Sequence, residues 1–460
     1  MNVKIAIIGA GSGVFSLNLI KDICVNRKMQ GAMLCLMDVN AQRLDAIYGL
    51  AVRYIEEMNT DLKVEKALDR REALQGANFV VNVALDYGHE RLRQGWKVAF
   101  ENGYRFGGSL HVVHDEAFWV NWHQVRLMES ILKDMLDICP DAWYILVANP
   151  VQMGVTYLTR KYPSAKIVGM CHGYNGVNQL AHAMGLDPKH VMYEVSGVNH
   201  FIWLTKFFYK GADAFPLLDA WIGSGGADEW LKRANGPSIG EGPKAIDLYK
   251  TYGAFPIGDT CTPGGGSWGW WYHSDGEEPC WAEDPFAWYE GYFKYCEGNV
   301  ARIRAAVEDK NTPVSEVFTA IASDEPMVPL IEALACDVER VVIVNVPNKG
   351  SCVPGVPEDY EVEIPALVSK RGIQGIQTSG LPKELMAYLW RDRIAPVEME
   401  IRAFETGRRD LLIALIMMDP WTKSRAQAEK LLDEILDLPC NHMMKQVFSG
   451  VRHGSDSQKD

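Results

Sequence analysis

Two residues that could share a metal ion, Cys171 and His200, stand about thirty positions apart, each closing a short apolar run. A thiolate and an imidazole are good donors for a borderline divalent ion such as Mn2+, Co2+, Ni2+ or Fe2+. Two protein ligands leave positions open for water and substrate oxygens, so such a site would be catalytic rather than structural. Each residue also has a plain reading, because a buried cysteine usually behaves as a small hydrophobe. Their weight depends on what stands beside them. Cys171 and His172 follow the run Lys166-Ile167-Val168-Gly169-Met170, and Asn199-His200 ends the next strand-like run.

The opening residues, Val3-Lys4-Ile5-Ala6-Ile7-Ile8-Gly9-Ala10-Gly11-Ser12-Gly13, read as a strand running into a glycine turn and then a helix from near Val14. Gly9 permits the tight turn, and Gly11 lets backbone approach a pyrophosphate at the helix N-terminus. The third glycine of the usual fingerprint falls on Val14, so the match is incomplete. Asp38 closes the second strand, where an acid binds the adenosine ribose and favours NAD over NADP. Met29-Gln30-Gly31 looks like an added turn that lengthens the spacing to Asp38. Candidate cofactor contacts are Gly9, Gly11, Ser12, Val14, Phe15, Asp38, Asn82 and Asn149. Asn149 precedes Pro150 at the end of the run 143–148, where its amide could bridge nicotinamide and substrate.

The elements that must position these groups are legible as short apolar runs at 3–8, 32–37, 79–85, 143–148 and 166–170, as expected of strands buried on both faces. Helical patterns lie between them, with Asn40 capping 41–57 and a long amphipathic stretch at 116–138. Alternating β and α segments predict an α/β fold with a doubly wound, Rossmann-like parallel sheet. After about residue 195 the alternation ends. Strands are expected at 191–198, 201–209, 340–346 and 360–368, and helices near 243–252, 284–309, 326–335, 382–405 and 421–436. Pro396 argues for a break in the 382–405 segment. The expected division is an NAD-binding domain over 1–196, an α+β substrate and oligomerisation domain over 197–450, and a polar tail over 451–460.

Bulk properties narrow the class of function. At 460 residues the chain is long for one core. A net charge of -13 and the lack of any long basic run argue against nucleic acid. No segment reaches the roughly 18 to 20 apolar residues that span a bilayer. The N-terminal run reads as a strand rather than a secretion signal. The 10 cysteines show no disulfide framework, which points to a reduced, cytoplasmic protein. The stretch 259–282 combines glycines with Trp268, Trp270, Trp271 and Tyr272, rings that could stack on a sugar or pack at a subunit contact.

These residues together resemble the NAD-dependent glycosidases of glycoside hydrolase family 4, an exception to the usual two-carboxylate glycosidases. The resemblance is carried by Cys171-His172-Gly173-Tyr174 and Gly197-Val198-Asn199-His200 behind the Gly9-Ala10-Gly11-Ser12 turn. Asp115, Val147-Ala148-Asn149-Pro150, Tyr252-Gly253 with Pro256-Ile257-Gly258-Asp259-Thr260, and Val344-Asn345-Val346-Pro347-Asn348-Lys349-Gly350 extend it over nearly the whole chain. Branches acting on 6-phosphorylated sugars commonly carry Asp or Asn after the metal cysteine. His172 stands there in this chain, which is similar to the α-glucosidase, α-galactosidase and α-hexuronidase branch.

The resemblance implies NAD and Mn2+, or a related ion, as cofactors, and a dimer or tetramer of the chain acting on a small carbohydrate. It also implies oxidation of the sugar at C3, loss of the C2 proton, elimination of the aglycone, addition of water and re-reduction. Cys171 and His200 would be the metal ligands. His172 would be the acid, and Asp259 the base with Tyr252 as its rival. Asp115, Asn149 and Asn199 would bind the substrate. The alternative is an NAD-dependent 2-hydroxy-acid dehydrogenase, although the loop around 105–116 lacks the paired arginines that would grip a hydroxy acid.

Overall fold

The computed structural model describes residues 3–105, 108–233, 242–262, 285–323 and 325–449. Six parallel strands form the frame of the site: β1 (Lys4–Ile8), β2 (Met33–Met37), β3 (Lys63–Ala67), β4 (Phe79–Asn82), β5 (Trp143–Leu146) and β6 (Lys166–Gly169). Their spatial order is β3-β2-β1-β4-β5-β6, with the chain reversing direction across the sheet between β1 and β4. In such a sheet ligands bind outside the carboxyl ends at the point of reversal.

Alternation along each strand explains why the runs are apolar throughout. Ile5 and Ile7 enter the core on one face with Leu34, Leu36 and Val81. Ala6 and Ile8 enter the core on the other with Cys35, Met37 and Val80. Helices Gly13–Val25 and Ala41–Glu57 cover the first face, and Phe118–Ile138 and Val151–Lys161 pack on the second. β3 is absent from the sequence reading because its residues, Lys-Val-Glu-Lys-Ala, carry no apolar run. As an outermost strand it needs only backbone pairing with β2, and its Glu65 meets Lys4 at 2.6 Å.

β7 (Val191–Val198) and β8 (Phe201–Tyr209) form an antiparallel hairpin, joined by β9 (Ala212–Asp213) and β10 (Phe255–Ile257) in a second sheet. Val198 pairs with Phe201, so Asn199 and His200 are the two-residue turn rather than the end of a strand. Gly197 makes this turn possible: a Cβ there would stand 2.0 Å from the Phe201 carbonyl oxygen.

The later strands rejoin the first sheet. β11 (Arg340–Pro347) runs antiparallel to β6, followed by β12 (Glu361–Ser369) and β13 (Gly372–Gly375), giving nine strands. The boundary expected at 196/197 therefore falls inside β7, and one sheet takes strands from both sides of it. The 382–405 segment divides into helices Lys383–Leu389 and Ala395–Thr406 around a π-turn at Trp390–Ile394, immediately before Pro396. No helix among the described residues is long and apolar enough to cross a membrane. The aromatic stretch with Trp268, Trp270, Trp271 and Tyr272, and the tail 451–460, lie outside the described residues.

Candidate active site

The glycine turn after β1 has the form a dinucleotide requires. Gly9 adopts φ +88°, and a Cβ would lie 2.5 Å from the Ala84 Cα, the backbone that follows β4. A Cβ at Gly11 would lie 2.7 Å from Asp38 Oδ2, the same oxygen that accepts the Gly11 N–H at 2.8 Å. Asp38 is thus joined to the turn despite its long spacing. Ser12 occupies the cap position of helix Gly13–Val25 without using its side chain as a cap, and the first turn holds no acid. The amides there are suited to a phosphate. Val14 and Phe15 are half-buried on that turn. The close packing usually granted by a third glycine is met instead at Gly13, where a Cβ would stand 2.9 Å from Val300 Cγ2.

Asn82 departs from the expectation. It is wholly buried, donating to the Tyr144 hydroxyl at 3.0 Å and accepting the Ala84 N–H at 3.1 Å. Its amide shapes the turn after β4 instead of facing the cofactor surface.

The carboxyl edge of β6 and the β7–β8 turn bring the metal candidates together. Donor atoms of Cys171, His200 and Asp259 all lie within 4.8 Å of one another. His200 Nε2 is 3.6 Å from Asp259 Oδ2. A pair of glycines permits this approach: at Gly258, φ +57°, a Cβ would lie 2.5 Å from the Gly173 Cα. The Cys171–Gly173 backbone and the Gly258–Asp259 turn meet with no side chain between them. Thr260 pins the second of these turns to β8, accepting the Ile202 N–H at 2.8 Å and donating to the Ile202 carbonyl at 2.9 Å.

The electrostatics of this group suit a cation. Burial, with the charges of Glu363 and Asp259, pushes the Cys171 thiol up to about 11, against the pull of His200. Burial disfavours the His200 imidazolium, yet Cys171, Glu116 and Asp259 outweigh it and hold the ring well above its ordinary value. A divalent ion fits that donor set in kind, with soft sulfur, imidazole nitrogen and carboxylate oxygen.

His172 is not among the donors that gather with Cys171. Its side chain is 54% exposed and its Nδ1 lies 3.6 Å from Glu325 Oε1. The Glu325 carboxylate raises its basicity against a partial loss of hydration, with Asp259 adding to the rise. Asp115 meets His114 Nδ1 at 2.6 Å and accepts from Asn149 Nδ2 at 3.0 Å, which ties the loop before helix Phe118–Ile138 to the end of β5. Burial alone would raise Asp115, but His114, His200 and Asn149 hold it below the ordinary carboxylate value.

Two further expectations change. Asn199 lies behind the site: it is wholly buried, its N–H reaches Glu361 at 3.2 Å and its Nδ2 donates to Glu363 at 3.0 Å. It anchors the β7–β8 turn through these two acids. Tyr252 stands among rings, 6.3 Å from Trp203 and 5.9 Å from Tyr388 between centroids. Burial and the neighbouring Tyr388 push its hydroxyl up, so it holds its proton more tightly than a free phenol.

Several residues at the site escaped the sequence reading. Glu116, Glu325 and Arg393 stand against the metal and acid candidates, and Tyr292 lies close enough to feel the charges of Asp115 and Asp259. The only sequence signal among them is the double acid Asp115-Glu116 before a long helix.

The chain is similar to known glycosidases along nearly its whole length. It is 24% identical over 475 residues to an alpha-glucosidase of Erwinia rhapontici, covering 95% of this chain and 98% of that one. It is 25% identical over 451 residues to an alpha-galacturonidase of Bacillus subtilis (strain 168), covering 94% and 97%. The fold matches a 6-phospho-alpha-glucosidase from gut microorganisms, in complex with NAD and Mn2+, with a TM-score of 0.76 at 16% identity, over 97% of this chain and 99% of that chain. The model for family 4 glycosyl hydrolases matches residues 4–186 and the model for the C-terminal domain of that family matches residues 195–422, so the chain belongs to family 4 of the glycosyl hydrolases.

Proposed function

We propose that the protein hydrolyses unphosphorylated α-glycosides with the help of NAD and Mn2+ or a similar ion. The observation that carries this reading is the meeting of Cys171, His200 and Asp259 at the carboxyl edge of a sheet that also bears the Gly9–Gly11 turn. Gly9, Gly11, Ser12 and Asp38 would hold the dinucleotide, and Cys171 and His200 would hold the metal, with Asp259 beside it. When bound, the dinucleotide would offer C3 of the sugar a hydride acceptor, and the ion would polarise the oxygens at C2 and C3.

The remaining work falls to side chains. Asp259, 35% exposed and beside His200, takes the proton from C2. It is favoured over Tyr252, whose surroundings hold its proton more tightly. His172, protonated more readily because of Glu325, donates to the departing glycosidic oxygen. Asp115, kept ionised, and Asn149 accept and donate to the sugar hydroxyls.

The charge of the site favours a neutral sugar. The groups acting most strongly on Cys171, Asp115 and His172 are histidines and acids. A phosphate or carboxylate brought against Asp115, Asp259 and Glu325 would meet like charge, which costs several kcal/mol. Aryl α-glucoside, α-galactoside, α-glucuronide, α-galacturonide and 6-phospho-α-glucoside, each supplied with NAD+, Mn2+ and a thiol reductant, provide the test. A neutral hexoside is expected to lead the charged sugars in kcat/KM by roughly 100-fold. A preference for the 6-phosphate would contradict this reading.

A further inference from the structure

The two acids before helix Phe118–Ile138 diverge. Asp115, 27% exposed, faces Asn149, whereas Glu116 turns inward and is 1% exposed. Glu116 Oε1 lies 3.0 Å from His200 Nδ1, an ion-pair contact between two buried atoms that have no hydrogen-bond partner among the described residues. The opposite ring nitrogen, Nε2, is the one that faces Asp259. A carboxylate buried this deeply persists only where a partner compensates its lost hydration.

The rest of the assembly fixes both partners. His200 holds φ +58°, a left-handed conformation that a residue bearing a β-carbon rarely adopts. Its carbonyl accepts from Arg393 Nη2 at 3.3 Å, and Arg393 comes from the π-turn Trp390–Ile394. Such turns inside helices are frequent at functional sites. The Arg393 guanidinium is wholly buried and close enough to feel the charge of Glu116. The loop carrying Glu116 is tied down by Asn121, whose Nδ2 donates to the Glu116 carbonyl at 2.7 Å and to Glu400 Oε2 at 2.9 Å. Glu400 in turn meets His111 Nδ1 at 2.8 Å.

We infer that Glu116 is a positioning residue for the metal centre: it takes the Nδ1 side of His200 and so presents Nε2 as the ligating nitrogen. The inference rests on the reading of Cys171 and His200 as metal ligands. Partners of this kind fix the tautomer and ring orientation of a ligating histidine, and their removal typically weakens metal binding by about 10–100-fold. Arg393, at the His200 carbonyl, holds the backbone from which the ring projects.

The test is Mn2+ binding followed by electron paramagnetic resonance, together with the visible spectrum of the Co2+-loaded protein, for wild type, Glu116→Gln and Glu116→Leu. Glutamine keeps an acceptor near Nδ1 and loses only the charge. Leucine fills the space without an acceptor. Mn2+ affinity is expected to fall by about 10–100-fold in Glu116→Leu and by less than about 10-fold in Glu116→Gln, with the Co2+ bands shifting in the leucine variant. NAD+ affinity, read on the same samples, should stay within about twofold and shows that the fold is intact, because the dinucleotide turn touches neither residue. Equal Mn2+ affinity in all three proteins would overturn the role of Glu116 while leaving the metal site standing. Failure of the wild type itself to bind Mn2+ or Co2+ would overturn both.

Discussion

Cys171→Ser is expected to abolish metal-dependent turnover, with a loss of about 1000-fold or more. A serine hydroxyl does not ionise at neutral pH and gives an ion neither negative charge nor a soft donor. The native thiol is itself pushed up to about 11 in the metal-free site, so an ion must displace its proton, and only a strong metal–sulfur bond makes that exchange favourable. Metal polarisation contributes several kcal/mol to reactions of this class, and 4 kcal/mol corresponds to about 1000-fold in rate. The measurement is kcat/KM at saturating Mn2+ for the wild type and the variant, with bound metal determined on the same samples. NAD+ binding should be retained, since the Gly9–Gly11 turn lies on different strands. A Cys171→Ser protein that kept both its metal and its turnover within tenfold would remove the cysteine from the centre.

The second large effect is expected at Gly11→Ala. The new Cβ would stand 2.7 Å from Asp38 Oδ2 and 2.9 Å from Arg43 Cβ. Asp38 must then move away, which breaks its bond with the Gly11 N–H and leaves the ribose acceptor misplaced. The methyl group also narrows the path of the pyrophosphate to the backbone. NAD+ affinity should fall by at least about 100-fold, equivalent to roughly 2.7 kcal/mol. Gly11 is not among the glycines with positive φ, so alanine there adds no backbone strain. Calorimetric titration with NAD+ checks the first point, and the melting temperature of the NAD-free protein, expected to fall by about a few degrees as Asp38 and Arg43 shift, checks that the fold survives. Unaltered NAD+ affinity would show that the turn is structural only.

The site was legible in the sequence wherever chemistry is carried by neighbours along the chain. Cys171 and His200 each close an apolar run, and the Gly9–Gly11 turn follows one, so strand ends alone located them. Asp259 entered only through family resemblance, because what joins it to Cys171 is the contact of Gly173 with Gly258. Nothing within either segment announces that contact. Asn82 and Asn199 show a further limit: an amide at a strand end can face a ligand or the interior, and here Tyr144 and Glu363 decide for the interior. Glu116 and Arg393 are separated from His200 by long stretches of chain and only tertiary packing reveals them.

The fold shows the same division. β1, β2, β4, β5 and β6 are buried on both faces and read as unbroken apolar runs. β3 pairs on one side and bears alternate charges, and the return of β11 to β6 depends on an antiparallel contact at Asn345 and Gly169 that no local pattern encodes. A Cβ at Gly169 would lie 2.8 Å from the Asn345 side chain, which is why a glycine ends β6 just ahead of the metal cysteine.

The most direct measurement of the central claim is the proton spectrum of the sugar released from a neutral aryl α-hexoside in D2O, with NAD+ and Mn2+ present. If Asp259 removes the C2 proton and solvent restores one, the product must carry deuterium at C2 without stoichiometric NADH accumulating. The Asp259→Asn variant must show neither product nor exchange. A product that retains protium at C2, formed equally well without NAD+ and metal, would contradict the account.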